Sequence, residues 1–175
     1  PSDRHQTKRL IEALLEDEKP AYIRVGRNPV EDIYSASDCQ FEMDSAVWLK
    51  GRGRPVKAAI IACGEMVRPA LEAAVLLEKD GIAASVLDMY CVKPLDREAV
   101  IEAARAADIV VTVEEHSSYG GLGSMVAQVV SERCPRRVKC LALPDAPVIT
   151  GTSPEVFAHY GLTGDGIAVT LKELL

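Results

Sequence analysis

The chain has 175 residues, 26 acidic against 20 basic side chains for a formal charge of -6, and 48% hydrophobic but only 5% aromatic content. That length allows one sizeable core rather than two full domains, and that balance excludes wholesale disorder and an aromatic-rich sandwich. The acidic charge without a long Lys/Arg run argues against a nucleic-acid partner, and apolar runs such as Ala58-Ala59-Ile60-Ile61-Ala62-Cys63 are too short to span a bilayer.

No signal-like leader opens the sequence, so a cytoplasmic setting is expected. Pro1-Ser2-Asp3 can cap a helix from about Arg4 to Leu15, with Leu10, Ile11, Leu14 and Leu15 as its apolar face. Asp17-Glu18-Lys19-Pro20 ends that helix and leads into Ala21-Tyr22-Ile23-Arg24-Val25, expected as a short strand closed by Gly26. A lone helix and strand make no domain. Residues up to Val30 are therefore expected to pack on the rest or to end a domain that begins earlier, and the absence of an initiating Met fits a cut or processed start.

From Glu31 to Pro55 periodicity weakens and Gly51-Arg52-Gly53-Arg54-Pro55 supplies a breaker. This reads as a linker with room for a short strand or hairpin. Ala58–Cys63 then reads as a buried strand, and Val67–Lys79 as a helix facing the sheet through Ala70, Leu71, Ala74, Val75 and Leu77. Ala84–Met89 is the next strand, and Asp96 caps a helix whose packing face is Ala99, Val100, Ala103, Ala104 and Ala107. Asp108–Val113 is a strand, Ser124–Arg133 a helix, Arg137–Leu143 a strand, and two helices near Glu155–Tyr160 and Ile167–Leu174 complete the chain. This alternation predicts an α/β fold: a three-layer, mostly parallel sheet joined by right-handed crossovers.

Between the strand ending at Val113 and the following helix lie Glu114-Glu115-His116 and Gly120-Gly121-Leu122-Gly123, expected as a turn at the carboxyl edge of the sheet, where α/β folds meet ligands and partner domains. Two carboxylates and an imidazole can bind a cation, hold a hydroxyl or move a proton, but neighbours at a strand end point in different directions and should not converge. Gly120, Gly121 and Gly123 can bring amides to an anion or allow close helix–sheet packing, and packing is the stronger reading. Arg24 and Arg27 flank Val25-Gly26, and the planar fork of either suits phosphate.

His5, His116 and His159 share no zinc-like spacing, so no metal site is expected. Cys63 before Gly64 has no assignable base and reads as a buried structural thiol; the five scattered cysteines read as reduced. Gly164-Asp165-Gly166 imitates part of a diphosphate-metal motif, but its place near the end of the chain suits a turn before the last helix.

Tyr22-Ile23-Arg24-Val25-Gly26-Arg27, Cys63-Gly64-Glu65-Met66-Val67, Lys93-Pro94-Leu95-Asp96, Glu114-Glu115-His116, Gly120-Gly121-Leu122-Gly123 and Tyr160-Gly161-Leu162, in this order, resemble the carboxy-terminal portion of the transketolase family, especially the separate subunit of its split versions. The resemblance implies that residues 1–30 are the tail of a pyrimidine-binding domain, 31–55 a linker and 56–175 the transketolase-like carboxy-terminal domain. It implies an enzyme that transfers a two-carbon ketol unit between sugar phosphates with thiamine diphosphate and magnesium, acting as a homo-oligomer. Arg24 is then the residue that contacts the substrate phosphate, and Glu114, Glu115, His116, Gly120, Gly121 and Gly123 belong to a domain junction. No catalytic, cofactor-binding or metal-binding residue carries over, because the activating glutamate and the diphosphate-metal motif have no counterpart here. The isolated chain is therefore expected to be inactive, to hold no cofactor, and to need an amino-terminal thiamine-binding portion or subunit. The tail of a 2-oxoacid dehydrogenase beta subunit or of a deoxyxylulose-phosphate synthase is the nearest alternative, and a noncatalytic anion-binding or dimerisation module is another.

Overall fold

Asp3 starts the first helix: its carboxylate accepts the Gln6 N–H at 2.8 Å and caps α1 (Arg4–Asp17). The computed structural model describes residues 1–175. The face of α1 that packs is not the apolar one expected. Gln6 is fully buried, whereas Ile11 and Leu15 are 46% and 78% exposed. The strand expected at Ala21–Val25 does not form, and Tyr22 is 90% exposed. No strand of this chain lies alongside it, so its apolar residues have no ladder to join.

Within the expected linker, β1 (Val47–Lys50) forms a half-buried edge strand. Then follow β2 (Val56–Ala62), a single 3-10 turn at Gly64–Met66, α2 (Val67–Lys79), β3 (Ala84–Asp88), α3 (Arg97–Ala106) and β4 (Ala107–Ser117). The chain finishes with α4 (Leu122–Arg133), β5 (Arg137–Leu143), α5 (Ser153–His159) and α6 (Gly164–Leu174). The strand order is β1-β3-β2-β4-β5, with β1 antiparallel to β3 and all other pairs parallel. Register places Ile60 of central β2 beside Val86 of β3 and Val111 of β4.

Strands covered on both faces read as continuous apolar runs, and strand alternation sorts them into two cores. Ala58, Ile60 and Ala62 meet α2 and α6 through Val67, Ala70, Ala74, Leu77, Ile167 and Leu171. Ala59 and Ile61 meet α3 and α4 through Val100, Ala103, Ala104, Val126 and Val130. Each large aliphatic side chain so enclosed contributes about 1.5–3 kcal/mol. Small helix residues bring the layers close enough to exclude water, giving the three-layer, mostly parallel sheet expected.

Two caps tie loops to this frame. Asp96 accepts the Ala99 N–H at 2.9 Å to start α3, and its other oxygen accepts the Ala46 N–H at 3.0 Å, which anchors the approach to β1. Gly164-Asp165-Gly166 is the first turn of α6 rather than a turn ahead of it, with Thr163 Oγ1 accepting the Gly166 N–H at 3.2 Å. No helix is long and apolar enough to cross a membrane.

Candidate functional site

The connection leaving β2 turns to the α2 face, while those leaving its neighbours β3 and β4 turn to the α3 and α4 face. The carboxyl edge beside diverging connections is where open α/β sheets meet ligands. Cys63, Gly64 and Glu65 follow β2 there, Asp88 ends β3, Glu114, Glu115 and His116 lie at the end of β4, and Arg24 reaches Glu115 from the amino-terminal segment.

Glu114-Glu115-His116 is not a turn. β4 continues through it to Ser117, which pairs with Leu143, and the register slips between Val113 and Ser117. Strand pairing to β5 extends the element past the apolar run, and the slip re-aims the side chains. As expected, the three do not converge. Glu114 is 2% exposed, and its oxygens accept the Leu122 N–H at 2.8 Å and the Gly123 N–H at 2.7 Å. Glu115 is half-buried and faces Arg24, while His116 is exposed.

Gly121 makes room for the Glu114 carboxylate, and Gly123 lets α4 approach β4 and β5 closely. A Cβ at Gly121 would overlap the Glu114 carboxylate, and one at Gly123 would lie 2.6 Å from Cys140 Sγ and 2.8 Å from Thr112 Oγ1. Gly120 donates its N–H to Ser124 Oγ at 3.0 Å. The amides at the start of α4 are thus taken by a carboxylate of the same chain.

Arg24 Nη2 donates to Glu115 Oε1 at 3.2 Å and to the Glu115 backbone oxygen at 3.4 Å. Glu65 lies within electrostatic reach of both. Its carboxyl packs against Gly26, and burial, then Glu115, push it up while Arg24 draws it down. Arg27 is exposed.

Asp88 forms a polar node that no motif in the sequence announces. It is fully buried, and its Oδ2 accepts from Ser2 Oγ at 2.6 Å, Tyr34 OH at 2.7 Å and Gln6 Nε2 at 2.8 Å. Loss of hydration outweighs these donors and pushes the carboxyl up. Asp3 completes the node, its Oδ2 accepting the Ile33 and Tyr34 N–H groups, each at 2.8 Å. Two buried carboxylates therefore lock residues 2–6 and 33–34 onto the end of β3. The available signal was a charged residue closing the buried run Ala84–Asp88.

Cys63 is half-buried rather than fully buried, and lost hydration, with Glu114 and Asp88 nearby, pushes its thiol up to about 12. At neutral pH it is a thiol and a poor nucleophile. All five cysteines are free. The donor set does not fit a diphosphate-bound metal: both Glu114 oxygens hold amides, Glu115 holds Arg24, and no three His, Cys, Asp or Glu side chains converge.

A mostly parallel sheet with these diverging connections and an arginine at its carboxyl edge is the class of fold to which the sequence comparisons add a family. The family model of the transketolase, C-terminal domain matches residues 53–167, and the chain belongs to that family. It is 42% identical over its whole length to a subunit of the apulose-4-phosphate transketolase of Phocaeicola vulgatus, covering 55% of that protein. It is 35% identical to a 6-deoxy-6-sulfo-D-fructose transketolase subunit of Clostridium sp., over 99% of this chain and 53% of the other. A 1-deoxy-D-xylulose-5-phosphate synthase of Magnetococcus marinus is also 35% identical, over all of this chain but 28% of the synthase. Among solved structures, a split gene transketolase described as an inactive beta4 tetramer superposes with a TM-score of 0.90 at 40% identity, over 99% of this chain and 55% of that one. The likeness therefore includes residues ahead of 53, and the chain spans about half the length of the transketolase subunits it matches.

Proposed function

We propose that this chain is the carboxy-terminal part of a transketolase-type enzyme that transfers a two-carbon ketol unit between sugar phosphates. The observation that carries this reading is the 42% identity, over all 175 residues, to a transketolase subunit of which the chain spans 55%. Residues 1–30 act as the tail of a pyrimidine-binding domain, 31–55 as a linker and 56–175 as the carboxy-terminal domain. Thiamine diphosphate and magnesium belong to an amino-terminal thiamine-binding portion or subunit. When bound there, the cofactor supplies the carbanion chemistry of carbon–carbon bond cleavage and formation.

This chain contributes positioning. Arg24, beside the end of β4, takes the phosphate of the sugar through its planar guanidinium. Glu114 and the glycine turn hold α4 against β4, which keeps the domain junction rigid. By itself the chain forms a homo-oligomer without turnover; the split-gene neighbour, described as an inactive beta4 tetramer, supports this. The setting is cytoplasmic.

The reading is tested with the enzyme reconstituted from this chain and an amino-terminal thiamine-binding subunit. Arg24→Ala is expected to raise KM for a phosphorylated sugar about tenfold to a hundredfold, the loss of one charge-assisted contact. KM for the corresponding free sugar should stay unchanged. An equal rise for both sugars would remove Arg24 from phosphate recognition.

A further inference from the structure

The Arg24 guanidinium already holds an anion. Nη2 donates to Oε1 and to the backbone oxygen of Glu115, a residue 91 positions away, at 3.2 and 3.4 Å. The Arg24 side chain is 55% exposed and that of Glu115 25%, which places the pair at the edge of water, where ion pairs are weak and exchangeable. Glu115 also sits where the β4–β5 register slips between Val113 and Ser117, so neighbouring ladder bonds do not fix its direction. Glu65, seated against Gly26, adds a second carboxyl within reach of the same cation.

Such an arrangement sets a threshold that any entering anion must exceed. A ligand carboxylate carries the same single charge as Glu115 and gains nothing by replacing it. A phosphate monoester carries about -1.5 to -2 at pH 7 and three acceptor oxygens, and a guanidinium binds it through two parallel bonds. We propose that Glu115 is the resident occupant of the Arg24 anion site and that phosphoryl groups enter by displacing it. This rests on the reading of Arg24 as the phosphate-binding residue. Glu115 then acts through Arg24, holding its guanidinium until a phosphoryl group replaces it, and takes no part in bond making.

The test is an NMR chemical-shift titration of the full chain with inorganic phosphate at constant ionic strength, on the unmodified chain, Glu115→Gln and Arg24→Ala. Glu115→Gln is expected to bind phosphate up to about fivefold more tightly, the range spanned by an exposed ion pair, and Arg24→Ala to lose the site. If Arg24→Ala binds as the unmodified chain does, the phosphate role of Arg24 fails and the proposal with it. If Arg24→Ala loses binding but Glu115→Gln binds no more tightly, Arg24 keeps its role and displacement of Glu115 is overturned. Absence of phosphate binding by both the unmodified chain and Glu115→Gln overturns both. Glu115→Ala serves the same comparison if the amide variant does not fold.

Discussion

Glu114 and Gly123 are bound across a strand–helix junction: the carboxylate at the end of β4 accepts the Gly123 N–H at 2.7 Å, and its second oxygen accepts the Leu122 N–H at 2.8 Å. One buried side chain thus satisfies two of the four donors that every helix leaves unpaired at its start, opposite the positive end of the helix dipole. Glu114→Ala is expected to destabilise the chain by about 2–4 kcal/mol, because two charge-assisted bonds are lost and two buried amides are left without partners. Glu114→Gln, which keeps one acceptor, should cost about half as much. Urea unfolding at neutral pH measures both, and equal stabilities for Glu114→Ala and the unmodified chain would contradict the capping role.

Gly123 is required by its surroundings. An alanine there places Cβ 2.6 Å from Cys140 Sγ and 2.8 Å from Thr112 Oγ1, so α4 must shift off β5. Gly123→Ala is expected to cost about 1–3 kcal/mol, as overpacking of a close-packed layer does. The double variant Gly123→Ala/Cys140→Ala should recover part of that loss. A double-mutant cycle with no coupling between the two positions would show that the layers are looser than the distances imply.

Asp88 holds the amino-terminal segment through Ser2, Gln6 and Tyr34. α1 turns Ile11 and Leu15 to solvent, so these polar bonds are its principal attachment to the sheet. Asp88→Ala is expected to cost about 2–4 kcal/mol, because three buried donors lose their acceptor, and Asp88→Asn less, since the amide retains an acceptor. Limited proteolysis distinguishes local from global loss. Cleavage should appear first within residues 1–34 of the Asp88 variants, and uniform cleavage along the chain would contradict the attachment.

Glu65 makes stability depend on pH. Burial and Glu115 raise its carboxyl above the ordinary 4.5, so in the window between 4.5 and the raised value the folded chain holds a proton that the unfolded chain has lost. Stability from this group is greatest below that window and falls as pH rises through it. Glu65→Gln should flatten this part of the profile, and the difference in urea midpoint between it and the unmodified chain should grow in favour of the variant as pH increases. A constant difference across the window would show that Glu65 titrates alike in both states.

Much of the sheet was legible because its strands are enclosed on both sides. The expected strands Ala58–Cys63 and Ala84–Met89 fall on β2 and β3, which are almost wholly buried, the helix Val67–Lys79 needed only local periodicity, and Asp96 was a recognisable cap. Legibility failed where a partner distant in sequence decides the outcome. Ala21–Val25 has strand composition but no neighbouring strand, whereas Val47–Lys50 becomes a strand because β3 offers it an antiparallel edge. Glu114-Glu115-His116 stays in β4 because β5 runs alongside as far as Leu143. At the site, the divergence of those three side chains followed from strand geometry. The Arg24–Glu115 pair and the Asp88 node span 91 and up to 86 positions, and nothing local marks either.

Ketol transfer between sugar phosphates, assayed with thiamine diphosphate and magnesium on this chain alone and after mixing with an amino-terminal thiamine-binding subunit, tests the central claim most directly. The expected result is no turnover by the chain alone and turnover in the mixture that saturates as the two parts reach equal amounts. Turnover by the chain alone, or none in a mixture whose two parts demonstrably associate, would contradict it.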